Sequence, residues 1–220
     1  MFTPHKPPVQ LADSDEPIEG PDVLIAFDFD GTMTTRDSYL AFLRWRAGWF
    51  GYAWGMFRLI PAAIGYVFKR DRGKLKAAAT RQFLYGVRQE DLERDAATYA
   101  SETNWSIFRP DALRTWRYWR TKGARVVIVT ASPETTVAPF ARSLGAHKLI
   151  GTKLEFDSAG RVTGAFSTPN CRGAEKVRRL REIFGDDVTL AAAYGDTPGD
   201  KDMLRMASEQ GYKVFSGKPA

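Results

Sequence analysis

Three short apolar runs constrain the fold most: VLIAF at residues 23–27, RVVIV at 125–129 and LAAAY at 190–194. None alternates as a strand with one wet face would, so each reads as a buried strand of a parallel sheet. Parallel strands need long crossovers, and helices fill the gaps between the runs. One is expected over Asp111 to Lys122, with Pro110 at its start and Gly123 at its end. A second runs to about Leu144, with Ser132 as N-cap, Pro133 in its first position and Gly145 as its stop. Ala174 to Phe184 is a basic amphipathic helix. Another helix is expected through Met203 and Met206, and a last strand over Tyr212 to Phe215. Residues 153–166 alternate around Asp157-Ser158-Ala159-Gly160, the pattern of a hairpin. Alternating strand and helix predicts a doubly wound, Rossmann-like α/β sheet.

Residues 1–21 carry five prolines and no apolar run, so they read as a disordered tail with no signal peptide. Residues 35–105 hold no clear strand and form an inserted, all-helical module. The core domain is then residues 22–34 and 106–220.

Each apolar run ends in polar residues: Asp28-Phe29-Asp30-Gly31-Thr32, Thr130-Ala131-Ser132-Pro133 and Gly195-Asp196-Thr197-Pro198-Gly199-Asp200. In doubly wound sheets, ligands bind beyond the carboxyl ends of the strands. Asp28 and Asp30 leave their strand end in one direction. That spacing suits attack by Asp28 on phosphorus, with Asp30 protonating the leaving oxygen and then activating water. Gly31 permits the tight turn. An anionic substrate beside carboxylates needs a divalent cation, and Asp28 and Asp196 supply the hard oxygens that Mg2+ takes. Asp200 stands one helical turn on, where it can orient the metal's ligands. Thr130 can hydrogen-bond a phosphoryl oxygen. Lys176 is the best candidate to neutralise the transition-state charge.

The set Asp28/Asp30/Thr32, Thr130, Lys176, Asp196/Asp200 resembles the four motifs of the haloacid dehalogenase superfamily of phosphatases. The match spans about residues 23–216, with the insertion where that family carries its type 1 helical cap. The resemblance implies a nucleophile at Asp28 and an acid/base at Asp30. It implies metal ligands in the Asp28 side chain, the Asp30 carbonyl and Asp196, and phosphoryl contacts from Thr130 and Lys176. Thr32 and Ser132 are expected against the substrate. The motifs look most like the branch that includes phosphoserine phosphatase, but Thr130-Ala131-Ser132 stands where that branch has Ser-Gly-Gly.

Net charge is +6, and it belongs to the insertion: residues 36–88 hold eleven Lys/Arg against two acids. Within it, residues 49–68 carry one charge, Arg58, and are as long as a membrane-spanning helix. Gly51, Gly55, Gly65 and Pro61 oppose a straight span, and Pro61 should kink it. Trp45, Trp49, Tyr52 and Trp54 lie at one end, and Lys69, Arg70, Arg72, Lys74 and Lys76 at the other. Aromatic and basic residues so placed suit an anionic membrane surface, with contact through residues 45–76. The bland alternative is a cap helix packed on its own core. The cap pattern is similar to that of the phosphatidylglycerophosphatase C family, which implies a phospholipid substrate at the cytoplasmic membrane face. A small soluble phosphomonoester is the rival substrate, and a non-catalytic protein retaining the fold is the rival class. No nucleic-acid motif accompanies the basic residues, so no nucleic-acid partner is expected.

Cys171 is the single cysteine, which suits a reducing, cytoplasmic setting and an idle thiol. His5 and His147 are isolated and expected to take no part in chemistry. Arg172, Arg178, Arg179 and Arg181 read as a solvated helix face, and Asp202 as a surface acid.

Overall fold

The computed structural model describes residues 23–61, 64 and 72–219. The expected tail at 1–21, much of the apolar run beyond Pro61, and Lys69 and Arg70 lie outside them. Five parallel strands form the sheet: β1 (Leu24–Phe27), β2 (Arg125–Pro133), β3 (Lys148–Thr152), β6 (Leu190–Gly195) and β7 (Ala207–Tyr212). Their order is β3-β2-β1-β6-β7, with β1 at the centre. The reason for the unbroken apolar runs is visible in β1 and β2. Ile25, Phe27, Val126 and Ile128 enter one core cluster, while Leu24, Ala26, Val127 and Val129 enter another on the opposite face. Both faces are covered, so neither parity can be polar.

Helices α1 (Ser38–Arg58), α2 (Arg72–Leu84) and α3 (Gln89–Thr103) form the insertion after β1. A short 3-10 turn at Asn104–Ile107 and helix α4 (Pro110–Thr121) lead back to β2. Helices α5 (Glu134–Leu144) and α6 (Ala174–Phe184) follow, and α7 (Lys201–Leu204) precedes β7. The hairpin β4 (Leu154–Phe156) and β5 (Val162–Phe166) is antiparallel, as its alternation predicts. It is tied to the loop after α2 by hydrogen bonds from Gly86 N–H to Val162 C=O and from Arg161 to Gly86 C=O, both 2.9 Å. The insertion shares its core with the sheet: Tyr39, Phe42, Leu92 and Tyr99 lie in the same cluster as Phe27 and Phe140.

Four points differ from the sequence reading or add to it. First, α1 also breaks at Gly48, where φ is 66° and ψ 169°, a conformation open to glycine. The helix then ends at Arg58 with Leu59 as its C-cap, just ahead of Pro61, and residues 62–71 other than 64 lie outside the described ones. Second, β2 continues through Ser132 to Pro133, and α5 starts at Glu134. Ser132 cannot cap α5 because its hydroxyl is taken by Asp30. Third, the last strand is Ala207–Tyr212, not Tyr212 to Phe215. It is an edge strand with exposed polar residues, so it lacks an apolar signature, while Phe215 packs on Tyr194 at 5.3 Å. Fourth, α7 ends at Leu204, short of Met206, and a 3-10 turn at Pro198–Asp200 precedes it.

Candidate active site

The sheet brings Asp28, Thr130 and Asp196 to one edge, and α6 brings Lys176 beneath them. Asp28 is anchored by its own N–H to the carbonyl of Tyr194 on β6 (2.9 Å). Its carboxylate is held on both sides. Oδ1 accepts from the Lys176 ammonium at 2.7 Å, and Oδ2 accepts from the Thr32 hydroxyl at 2.8 Å. The Lys176 ammonium also meets Asp200 Oδ1 at 2.7 Å and donates to the Val129 carbonyl at 2.5 Å. Three acceptors thus satisfy its three protons in a site where the lysine is 1% exposed.

Burial pushes the Asp28 carboxyl up to about 6 despite the ammonium beside it. Burial also opposes charge on Lys176, but Asp28 and Asp200 outweigh it and hold the ammonium above its usual range. For this pair the geometry favours the charged forms, because all three protons of the cation are taken at short range. Asp200 is burdened by burial too, yet Lys176 and Thr197 hold its carboxyl below the usual range. Its Oδ2 accepts from the Thr197 N–H and hydroxyl, both 2.8 Å. Both Asp200 oxygens are therefore committed to hydrogen bonds or the Lys176 ion pair.

Asp30 sits opposite. Oδ1 accepts from the Ser38 N–H at 2.7 Å and Oδ2 from the Ser132 hydroxyl at 2.5 Å. Burial raises its pKa, with the charge of Asp37 adding to the effect. Thr130 lines the cleft, and its Oγ1 accepts from the Ser132 N–H at 3.1 Å. Thr32 and Ser132, expected against the substrate, are buried with their hydroxyls on Asp28 and Asp30. They position the carboxylates.

Asp28, Asp196 and Asp200 offer oxygens within 4.8 Å of one another. Asp196 Oδ1 is buried and has no hydrogen-bond partner. Such an orphaned carboxylate oxygen is costly unless something binds it. Its pKa is raised by burial and then by repulsion from Asp200. The donor set is all oxygen, which fits a hard divalent cation. Gly31 makes the approach possible: its φ is +82°, and a Cβ there would lie 2.7 Å from Asp196 Oδ2.

The carboxylates open into a cleft of about 510 Å³ between the sheet edge and the insertion. The chain belongs to the haloacid dehalogenase-like hydrolase family. That family matches residues 25–205, strand β1 through helix α7. Protein CicA of Caulobacter vibrioides is 58% identical over 200 residues, covering 90% of this chain and 89% of that protein. A Bordetella pertussis Tohama I protein of unknown function is similar in structure, with a TM-score of 0.69 and 21% identity. The match covers 85% of this chain and 87% of that one. A phosphoserine phosphatase captured as a phospho-aspartyl intermediate analogue gives a TM-score of 0.54 at 18% identity, over 86% and 84% of the two chains. These two structural likenesses concern the fold.

Two side chains enter the site that sequence reasoning assigned elsewhere. Lys76, counted with the membrane-facing cations, turns into the cleft and donates to the Ala131 carbonyl at 2.9 Å. Arg172, read as part of a solvated face, lines the cleft and donates to the Thr197 hydroxyl at 3.2 Å. Arg179, read with it, is buried too, 3.6 Å from Glu134, because that side of α6 packs on the start of α5. Arg109 was also missed; its Nε donates to the Gly31 carbonyl at 3.1 Å and secures the turn. Other surface readings agree with the structure. Arg178 pairs with Glu175 and Glu182 in solvent, and Asp202 with Arg205. Cys171 is fully buried, and burial pushes its thiol up to about 11.

Proposed function

We propose that the chain is a Mg2+-dependent phosphomonoesterase that works through an aspartyl phosphate. The observation that carries the reading is Asp28, held at both oxygens on the cleft floor, beside the orphaned oxygen of Asp196. In this mechanism a carboxylate oxygen of Asp28 attacks phosphorus and displaces the alkoxide. Asp30 gives its proton to that alkoxide, and its raised pKa suits it to hold one. The Asp30 carboxylate then takes a proton from the water that attacks the aspartyl phosphate. Thr130 donates its hydroxyl to an equatorial oxygen, and the positive charge of Lys176, whose protons go to Asp28, Asp200 and Val129, acts on the phosphoryl group from beside the Asp28 carboxylate. A bound Mg2+ would supply charge neutralisation between phosphate and carboxylates; Asp28 and Asp196 would hold it, with the Asp30 carbonyl completing the protein's share.

For substrate we favour a phospholipid monoester, such as phosphatidylglycerophosphate, at an anionic membrane surface. The support is the outer face of α1 beyond Gly48. Trp49, Phe50, Trp54 and Phe57 are 61–87% exposed there, a large apolar patch for a soluble fold. Among the described residues no helix is long and apolar enough to cross a membrane; the reading takes the contact of this aromatic face to be interfacial. A small soluble phosphomonoester is the second reading, and a cleft of about 510 Å³ suits one. The test is hydrolysis of phosphatidylglycerophosphate in anionic vesicles against a panel of soluble monoesters, with Mg2+ and with EDTA. Vesicle-bound, Mg2+-dependent release of phosphate that is lost in Asp28→Asn is expected. Hydrolysis of soluble esters alone, without vesicle binding, would remove the lipid reading. Unchanged activity in Asp28→Asn would remove the mechanism.

A further inference from the structure

The cleft is lined by cations other than the lysine beside Asp28. Lys176 is consumed by Asp28 and Asp200. Lys76 and Arg172 are not: among the described residues, neither lies within ion-pair distance of a carboxylate. They come from different parts of the chain, Lys76 from helix α2 of the insertion and Arg172 from the loop before α6. Both line the same cavity, where burial opposes charge on Lys76, the carboxylates of Asp30, Asp37 and Asp28 favour it from beyond ion-pair distance, and Arg172 opposes it. Each is held in place by one neutral contact, Lys76 by the Ala131 carbonyl and Arg172 by the Thr197 hydroxyl. The Tyr39 ring, 5.8 Å from the Lys76 ammonium, further fixes its position.

Two like charges facing one cavity repel each other, and removing them from bulk water adds to that cost. Their remaining N–H donors point to an anion between them. We propose that Lys76 and Arg172 form a second anion subsite, so the preferred substrate carries a negative group besides the phosphate that is cleaved. The chemistry is shared by a phosphodiester, as in a lipid headgroup, and a carboxylate, as in a small metabolite. This inference rests on the phosphomonoesterase reading, and a binding measurement separates the two.

The test uses Asp28→Asn full-length protein, which cannot form the aspartyl phosphate, titrated calorimetrically with three probes. Glycerol 3-phosphate carries no second anion. 3-Phosphoglycerate adds a carboxylate, and glycerophosphoglycerol phosphate adds a phosphodiester. At least one of the latter two is expected to bind about tenfold or more tighter than glycerol 3-phosphate, the scale of one charge-assisted contact. That preference should vanish with Lys76→Met or Arg172→Met added, and Lys76→Arg should restore it. The stronger of the two doubly anionic probes identifies the source. Equal binding of all three, or a preference untouched by both methionine variants, would overturn the inference. If the preference holds while wild-type protein hydrolyses none of the three probes or the lipid ester, the phosphatase reading fails and the subsite stands.

Discussion

Lys176→Met would strip a buried ammonium from between two carboxylates while leaving the volume filled. The ammonium sits 2.7 Å from Asp28 and 2.7 Å from Asp200, and the lysine and the two acids are 1%, 8% and 2% exposed. Breaking a buried pair from one side costs about 3–5 kcal/mol. The carboxylates can escape part of it by taking up a proton. Asp28 already titrates at about 6 with the ammonium present. Without it, Asp28 holds a proton well above pH 6, whereas in the unfolded chain it is ionised down to its ordinary value near 3.8. The variant's native state then binds one proton more than its unfolded state. Its stability falls as pH rises, by about 1.4 kcal/mol per unit. The wild-type protein lacks that extra proton above pH 6. The deficit should therefore be largest at pH 8 and shrink by roughly 2–3 kcal/mol at pH 6. Urea unfolding of both proteins at the two pH values measures it. Adding Asp28→Asn to the variant should remove the slope. A variant within about 1 kcal/mol of wild type at pH 8, or a deficit independent of pH, would refute the account.

Two further outcomes follow from single contacts. His147 Nδ1 accepts from the Val126 N–H at 3.1 Å, and burial lowers its pKa. Its contribution is present above the unfolded value near 6.5 and lost as pH falls below it, so His147→Asn should flatten the decline in Tm between pH 7 and 5. Gly31→Ala would put a Cβ 2.7 Å from Asp196 Oδ2 at a φ of +82°. It should lower stability by about 1–2 kcal/mol and raise the Mg2+ concentration for half-maximal phosphatase activity, read from a metal titration.

Much of the site was legible because parallel strands covered on both faces advertise themselves. The runs at β1, β2 and β6 are apolar at nearly every position, and the residues after them must face the ligand edge. The edge strand β7 was not legible: its sequence, ASEQGY, meets solvent over most of its length and lacks both an apolar run and alternation. The Ser132 error is of another kind. Ser-Pro before an acidic residue is a good helix start locally, but Asp30, 102 residues away, takes the hydroxyl. Lys76 and Arg172 were misplaced for the same reason. Nothing in a charge run says which member turns inward, because that depends on where α2 lies over the sheet edge.

The basic insertion also divides once its side chains are placed. Lys76 faces the cleft, Arg46 pairs with Asp95 at 2.8 Å, and Arg81 lies over the Tyr85 ring. Trp45 and Tyr52 turn inward as well, Trp45 donating to Glu102 at 2.7 Å and Tyr52 stacking on Phe83. Among the described residues, Trp49, with Arg44 over its ring, and Phe50, Trp54 and Phe57 beyond it are exposed. Among the described cations, Lys76 is committed to the cleft and Arg46 to Asp95, so neither is available to an anionic bilayer. On the proposed reading, apolar insertion of the α1 face carries part of the membrane contact. The cap then serves one substrate from two sides: its aromatic face meets the lipid surface, and Lys76 on α2 meets the headgroup.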